Sequence, residues 1–121
     1  ISSSNNTGSV LGGEGDDKIT ISGANNINIK GENGKDYIVS TGNNNNIYGG
    51  NDNDIITLKG VNDSSSIIDG ESGEDNITIE SSNNTGMITG GDENDLITVL
   101  GTNNSNIHGG NGSNDILKQN L

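Results

Sequence analysis

The sequence contains no cysteine, proline, phenylalanine or tryptophan, and it has only two tyrosines. Without cysteine there is no disulfide framework and no thiolate metal site. A zinc site would have to rest on the single histidine, His108. The absence of proline suits a chain in which most backbone amides join ladders between strands. The absence of large rings suits a core too thin to hold them. Basic residues are also scarce, five against 17 acidic ones, for a net charge of -12. That balance argues against a nucleic acid or an anionic membrane surface, both of which are bound through Lys and Arg. No apolar run approaches the length of a membrane span, so membrane insertion is not expected. A multivalent cation is the partner this charge invites.

Only 26% of the 121 residues are apolar, which in bulk describes a disordered acidic polymer. Their placement says otherwise. Residues 12–20 read G-G-x-G-x-D-x-I-T, and versions return at 31–39, 49–57, 70–78, 90–98 and 109–117. The first five copies begin 19, 18, 21 and 20 residues apart. A period this short predicts a solenoid, in which each repeat stacks on its neighbours and buries no core alone. The sequence opens partway through a repeat, since residues 1–11 match 79–89 closely, so a mature product or fragment open at its N-terminal end is expected.

Superposing the copies brings out three aliphatic rows. Ile19, Ile38, Ile56, Ile77 and Ile97 stand two residues after the acid, and Ile21, Ser40, Leu58, Ile79 and Val99 two further on. Val10, Ile29, Ile47, Ile68, Ile88 and Ile107 lie two residues before each loop. A spacing of two puts neighbours on one strand face. The intervening Thr20, Val39, Thr57, Thr78 and Thr98 should point outward. The fold read from this is all-β: a right-handed parallel β-roll or β-solenoid of about six coils of 18–21 residues, with two short strands per coil. Acidic loops run along one edge. Along the other run Gly corners and Asn pairs such as Asn25-Asn26, Asn44-Asn45 and Asn83-Asn84, whose stacked amides can form a ladder. Residues 114–121 form a worn or capping repeat, with Lys118 or Gln119 where an aliphatic is due.

Stacked acidic loops need a counter-ion. The acids are Asp17, Asp36, Asp54, Asp75 and Asp95, and in the last copy either Asn114 or Asp115, of which Asp115 is preferred because Asp-Ile-Leu-Lys matches the earlier Asp-Ile-Ile-Thr. Calcium takes six to eight oxygens in flexible geometry, so Asp carboxylates and loop carbonyls suit it. Magnesium wants rigid octahedra and keeps its waters. Six loops enclose five gaps, so about five ions are expected in one column, which would leave the rod at about -2.

The nonapeptide G-G-x-G-x-D-x-U-x resembles that of the repeats-in-toxin, or haemolysin-type calcium-binding, family. Residues 12–20 match fully. Elsewhere Glu32 and Glu71 fill the second Gly slot, and Asp52 and Glu93 the fourth. The resemblance implies a parallel β-roll with calcium held by the Asp side chains and loop carbonyls. Here those carbonyls belong to Gly13, Gly15, Glu32, Gly34, Gly50, Asp52, Glu71, Gly73, Gly91, Glu93, Gly110 and Gly112. It also implies secretion before folding. The family carries its motif on both halves of a coil, whereas one edge here has Asn corners. That one-sided form is similar to calcium-bound repeats of large bacterial surface adhesins, some of them ice-binding.

The expected function is a calcium-rigidified extracellular rod, spacer or filament segment of a bacterial surface protein, able to stack end to end. The alternatives are the module of a secreted toxin or hydrolase, and an ice-binding face. The outward Thr row is flanked by Lys18, Tyr37, Ile55, Asn76 and Leu96, too mixed an array to order water. Catalysis is not expected, because His108 has no nucleophile at a meaningful spacing and the paired acids are explained by the loops.

Overall fold

A computed structural model describes residues 2–3, 8–23 and 26–118. Among these the chain is all-β and winds into about six coils. In each coil one strand runs into the acidic loop, as Asn28–Asn33 does, and one runs out of it, as Tyr37–Ser40 does. The outgoing strands form a seven-stranded sheet and the incoming ones a six-stranded sheet. All pairings are parallel, each strand lying against the same strand of the next coil. Coils are numbered 1 to 6 by their loops, 12–17, 31–36, 49–54, 70–75, 90–95 and 109–114, and the six loop residues are positions one to six.

The register keeps like against like. Ile19 pairs with Ile38, and the row continues through Ile56, Ile77, Ile97 and Ile116. Val10, Ile29, Ile47, Ile68, Ile88 and Ile107 are level in the other sheet. Side chains two apart share a face, so these rows meet between the sheets as one narrow aliphatic core, outside which Ile116 of the last coil is left exposed. Thr20, Thr57, Thr78 and Thr98 are half-buried on the outer face, beside an exposed Tyr37 and Ile55. His108 lies on the last incoming strand and is exposed.

Two core residues fall outside the plain pattern. Ile27 is buried, two residues before Ile29. Ser40 is fully buried within an aliphatic row, and its hydroxyl accepts from Asn45 Nδ2 at 3.2 Å.

That bond belongs to the second corner. Within the Asn pairs of the later coils the first residue takes the left-handed conformation, with φ of 56° at Asn44, 65° at Asn83 and 55° at Asn103. The second turns inward. Asn45, Asn62, Asn84 and Asn104 stack as rungs, each offering Oδ1 to the backbone N–H one coil before it, from Ile27 N at 3.1 Å to Asn84 N at 2.9 Å. The Asn25-Asn26 corner is offset by one residue from this scheme. Asn26 takes the left-handed place, at φ 60°, and Ile27 takes the inward one opposite Asn45. Asn5, Asn6 and Asn25 lie outside the described residues, as does Gln119.

The last coil keeps the loop length of the others. The N–H of Asp115 donates to Asp95 O, and Asp115 pairs with Leu96, so it stands one place beyond the acid position. Asn114 fills that position, contrary to the preference for Asp115. Lys118, opposite Val99, is the residue that replaces the inward aliphatic.

Candidate metal-binding edge

The acidic loops turn on alternate residues. Positions two and four have positive φ in every coil, from 74° at Glu71 to 133° at Gly73. Glycine holds such angles freely, whereas Glu32, Asp52, Glu71 and Glu93 adopt them at roughly 1–2 kcal/mol each. Position one is glycine for a different reason. A Cβ on Gly31 would land on Asp36 Oδ2 and the carbonyl of Gly49, and one on Gly70 would meet Asp75 Oδ2 and the carbonyl of Gly90.

The sixth-position side chains turn inward against that glycine and form a column. Oδ1 of Asp36 accepts the backbone N–H of Asp17 at 2.8 Å. Asp54, Asp75 and Asp95 repeat the bond to Asp36, Asp54 and Asp75 at 2.8, 2.7 and 2.9 Å. Asn114 ends the column by accepting from Asp95 N at 2.7 Å. This is the same rung that asparagine builds at the other corner.

The second oxygen separates the two corners. Where Asn84 Nδ2 donates to Ser81 Oγ at 3.0 Å, the acids have nothing equivalent. Oδ2 of Asp17, Asp36, Asp54, Asp75 and Asp95 is buried and has no hydrogen-bond partner. Asp36, Asp54, Asp75 and Asp95 are themselves only 2%, 1%, 2% and 3% exposed. Burial raises the pKa of all four, and the neighbouring carboxylates raise it further against the opposing pull of the backbone N–H bond. Asp54 and Asp75, in the middle of the column, are each pushed up to about 7. Outside the column, Asp69, Glu71 and Asp92 line an open cleft of about 270 Å³ with Ser72 and Gly91.

The carbonyls at positions two and four face along the stack. Those of Glu32 and Glu71 lie against Gly50 and Gly91, and those of Gly15, Asp52 and Glu93 against Gly34, Gly73 and Gly112. Some at position two are already engaged. Glu71 O accepts from Asp92 N at 2.7 Å and Gly91 O from Asn111 N at 2.8 Å. Among the described residues no three His, Asp or Glu side chains converge as a metal site. One acid per coil explains that, since only two can border any one gap.

The gaps are not equivalent. Four have a sixth-position carboxylate on both sides, Asp17/Asp36, Asp36/Asp54, Asp54/Asp75 and Asp75/Asp95. The fifth has Asp95 and an amide, whose Nδ2 donates to Gly110 O and Asn111 O at 3.2 and 3.1 Å. Position five carries a further bond that the variable look of that slot conceals. Asp16 Oδ1 accepts from Lys35 N at 2.9 Å, Asn53 Oδ1 from Glu74 N at 3.0 Å and Asn94 Oδ1 from Ser113 N at 2.8 Å. The visible signal was a short amide or acid side chain in every odd-numbered coil.

Fold and edge together define a parallel β-solenoid with a buried carboxylate column along one corner. No family model, no curated protein and no solved structure matches the chain.

Proposed function

We propose that this chain is a calcium-binding structural rod that folds and stiffens as the acidic column takes up its ions. The observation that carries the reading is the row of five buried Oδ2 atoms without partners. A buried, unpaired carboxylate costs several kcal/mol and demands either a proton or a cation.

The donor atoms fit calcium. Coils repeat at the strand separation of about 4.8 Å. A cation lodged between successive coils would be held by the Oδ2 atoms of the two bordering acids, oxygens of the kind calcium takes at roughly 2.3–2.6 Å. Two carboxylates would supply charge, and loop carbonyls that face along the stack would supply neutral oxygens. Calcium, when bound, would offset the repulsion within the column and link successive coils.

Four such gaps, rather than five, have acids on both sides, so about four ions would leave the rod at about -4. Where calcium is scarce the carboxylates repel one another and leave the folded chain only marginally stable. In calcium-rich extracellular surroundings binding to the folded form alone drives folding by linkage. The long ladders and the thin core support a role as a spacer or surface-protein segment.

The test is circular dichroism with and without calcium, beside a count of bound ions. A coil-to-β change with about four ions supports the reading. A chain fully folded in excess chelator that binds no calcium refutes it.

A further inference from the structure

The loops alternate between two kinds. Coils 3 and 5 read G-G-x-acid-N-D, and coils 2 and 4 read G-E-x-G-x-D. The acids in left-handed slots therefore switch column at each step: Glu32 at position two, Asp52 at four, Glu71 at two, Glu93 at four. The position-five bonds follow the same rhythm. They tie coil 1 to 2 through Asp16 and Lys35, coil 3 to 4 through Asn53 and Glu74, and coil 5 to 6 through Asn94 and Ser113. Between coils 2 and 3, and between 4 and 5, position five of the earlier coil is Lys35 or Glu74, and no such bond forms among the described residues.

We infer that the coils are stapled in pairs and that the acidic column therefore holds two classes of cation site, in alternation. The inference rests on the calcium reading above. The Asp17/Asp36 and Asp54/Asp75 gaps lie inside stapled pairs, where the loop backbones are fixed beside the column before any ion arrives. The Asp36/Asp54 and Asp75/Asp95 gaps lie between pairs, where the sixth-position rung is present but the position-five staple beside it is missing. Preorganised ligands bind tighter because less ordering remains to be done. The third staple holds the gap closed by Asn114, which has only one acid. The rod thus has two tighter sites and two weaker ones, separated by roughly two- to tenfold for one net hydrogen bond.

The test uses the full chain labelled with nitrogen-15, stripped of metal and titrated with calcium, with midpoints read at the backbone amides of Asp17, Asp36, Asp54 and Asp75. The first and third gaps should reach half-saturation ahead of the second and fourth. Asn53→Ala should move the Asp54/Asp75 midpoint alone to roughly two- to tenfold higher calcium. Asn53→Asp should restore it, since Asp16 already performs the same task in coil 1. Asn94→Ala, whose staple serves no two-acid gap, should shift none of the four.

One common midpoint for all four gaps would overturn the inference, as would an Asn53→Ala variant that folds and binds like the parent. Amide exchange checks the staples independently of any ion, with Lys35 and Glu74 expected to exchange more slowly than Asn53 and Asn94. Equal exchange would overturn the pairing even if calcium binds. No midpoint at any gap would sink the calcium reading while leaving the exchange contrast to report on the pairing.

Discussion

The backbone N–H of Asp54 donates to Oδ1 of Asp75, one coil on, at 2.7 Å, while Oδ2 of the same carboxylate has no partner. One side chain thus holds two coils in register with one oxygen and presents an unmet demand with the other. Backbone alignment and the proposed ion uptake rest on separate atoms, so mutation should separate them.

Asp75→Asn makes that separation. Asn114 shows that an amide fits the same slot, accepting through Oδ1 and donating through Nδ2 to nearby carbonyls. The variant is expected to stabilise the calcium-free chain by about 1–3 kcal/mol, since a buried orphan acceptor becomes a satisfied donor. It should also lose the two ions on either side of coil 4. Chemical denaturation in chelator and a calcium count check both halves.

The response to pH should invert with calcium. Asp54 and Asp75 titrate near 7 when folded, against an ordinary value of 3.8. The folded chain therefore holds more protons than the unfolded chain between those values. The stability this gives is fully present below about 3.8 and is lost as pH rises through about 7. In chelator, the melting temperature should be higher at pH 5 than at pH 8. In saturating calcium the order should reverse, because ion uptake requires the deprotonated acids. Identical melting temperatures at both pH values in chelator would contradict the buried, unpaired state of the column.

Two loop glycines, Gly70 and Gly13, should respond differently to alanine. A Cβ on Gly70 meets Asp75 Oδ2 and the carbonyl of Gly90, so Gly70→Ala should cost about 2–4 kcal/mol and weaken calcium binding. At Gly13, φ is 104° but nothing lies within 4 Å of the added atom. Gly13→Ala should cost only the backbone term, about 1–2 kcal/mol. Urea unfolding in calcium would rank them, and equal costs would show that the position-one glycine has no packing role.

The second corner offers a control without charge. Asn84 accepts from Asn62 N at 2.8 Å and donates to Ser81 Oγ at 3.0 Å. Asn84→Ala should cost about 2–4 kcal/mol by leaving a buried N–H unpaired. Its calcium midpoints, measured where the variant is folded, should stay those of the parent. A large shift would mean that the two corners are coupled.

The aliphatic rows were legible because strand side chains alternate strictly, so Ile two residues after each acid could only face one way. The acid column was legible as residues but not as atoms. Nothing in a run of Asp shows that one oxygen is consumed by a backbone rung. The same rung explains why the last coil misled: a one-residue shift brings Asp115 into a familiar-looking motif, but the slot needs a carbonyl-type oxygen rather than a charge, and Asn114 supplies it. Ser40 interrupts an aliphatic row, and it is the acceptor for an inward amide that no pattern of apolar residues would reveal. The position-five staples went unread because their donors are backbone amides, and only the acceptors, Asp16, Asn53 and Asn94, show in the sequence.

The alternating placement of Glu32, Asp52, Glu71 and Glu93 means that every bulky loop residue faces glycine in the coils above and below it. Excising residues 70–89 would set Asp52 directly over Glu93, two side chains in a space shaped for none. Excising 49–89 would bring Glu32 and Glu93 together in different columns and spare the collision. Coils 3 and 4 are therefore expected to be removable together but not singly.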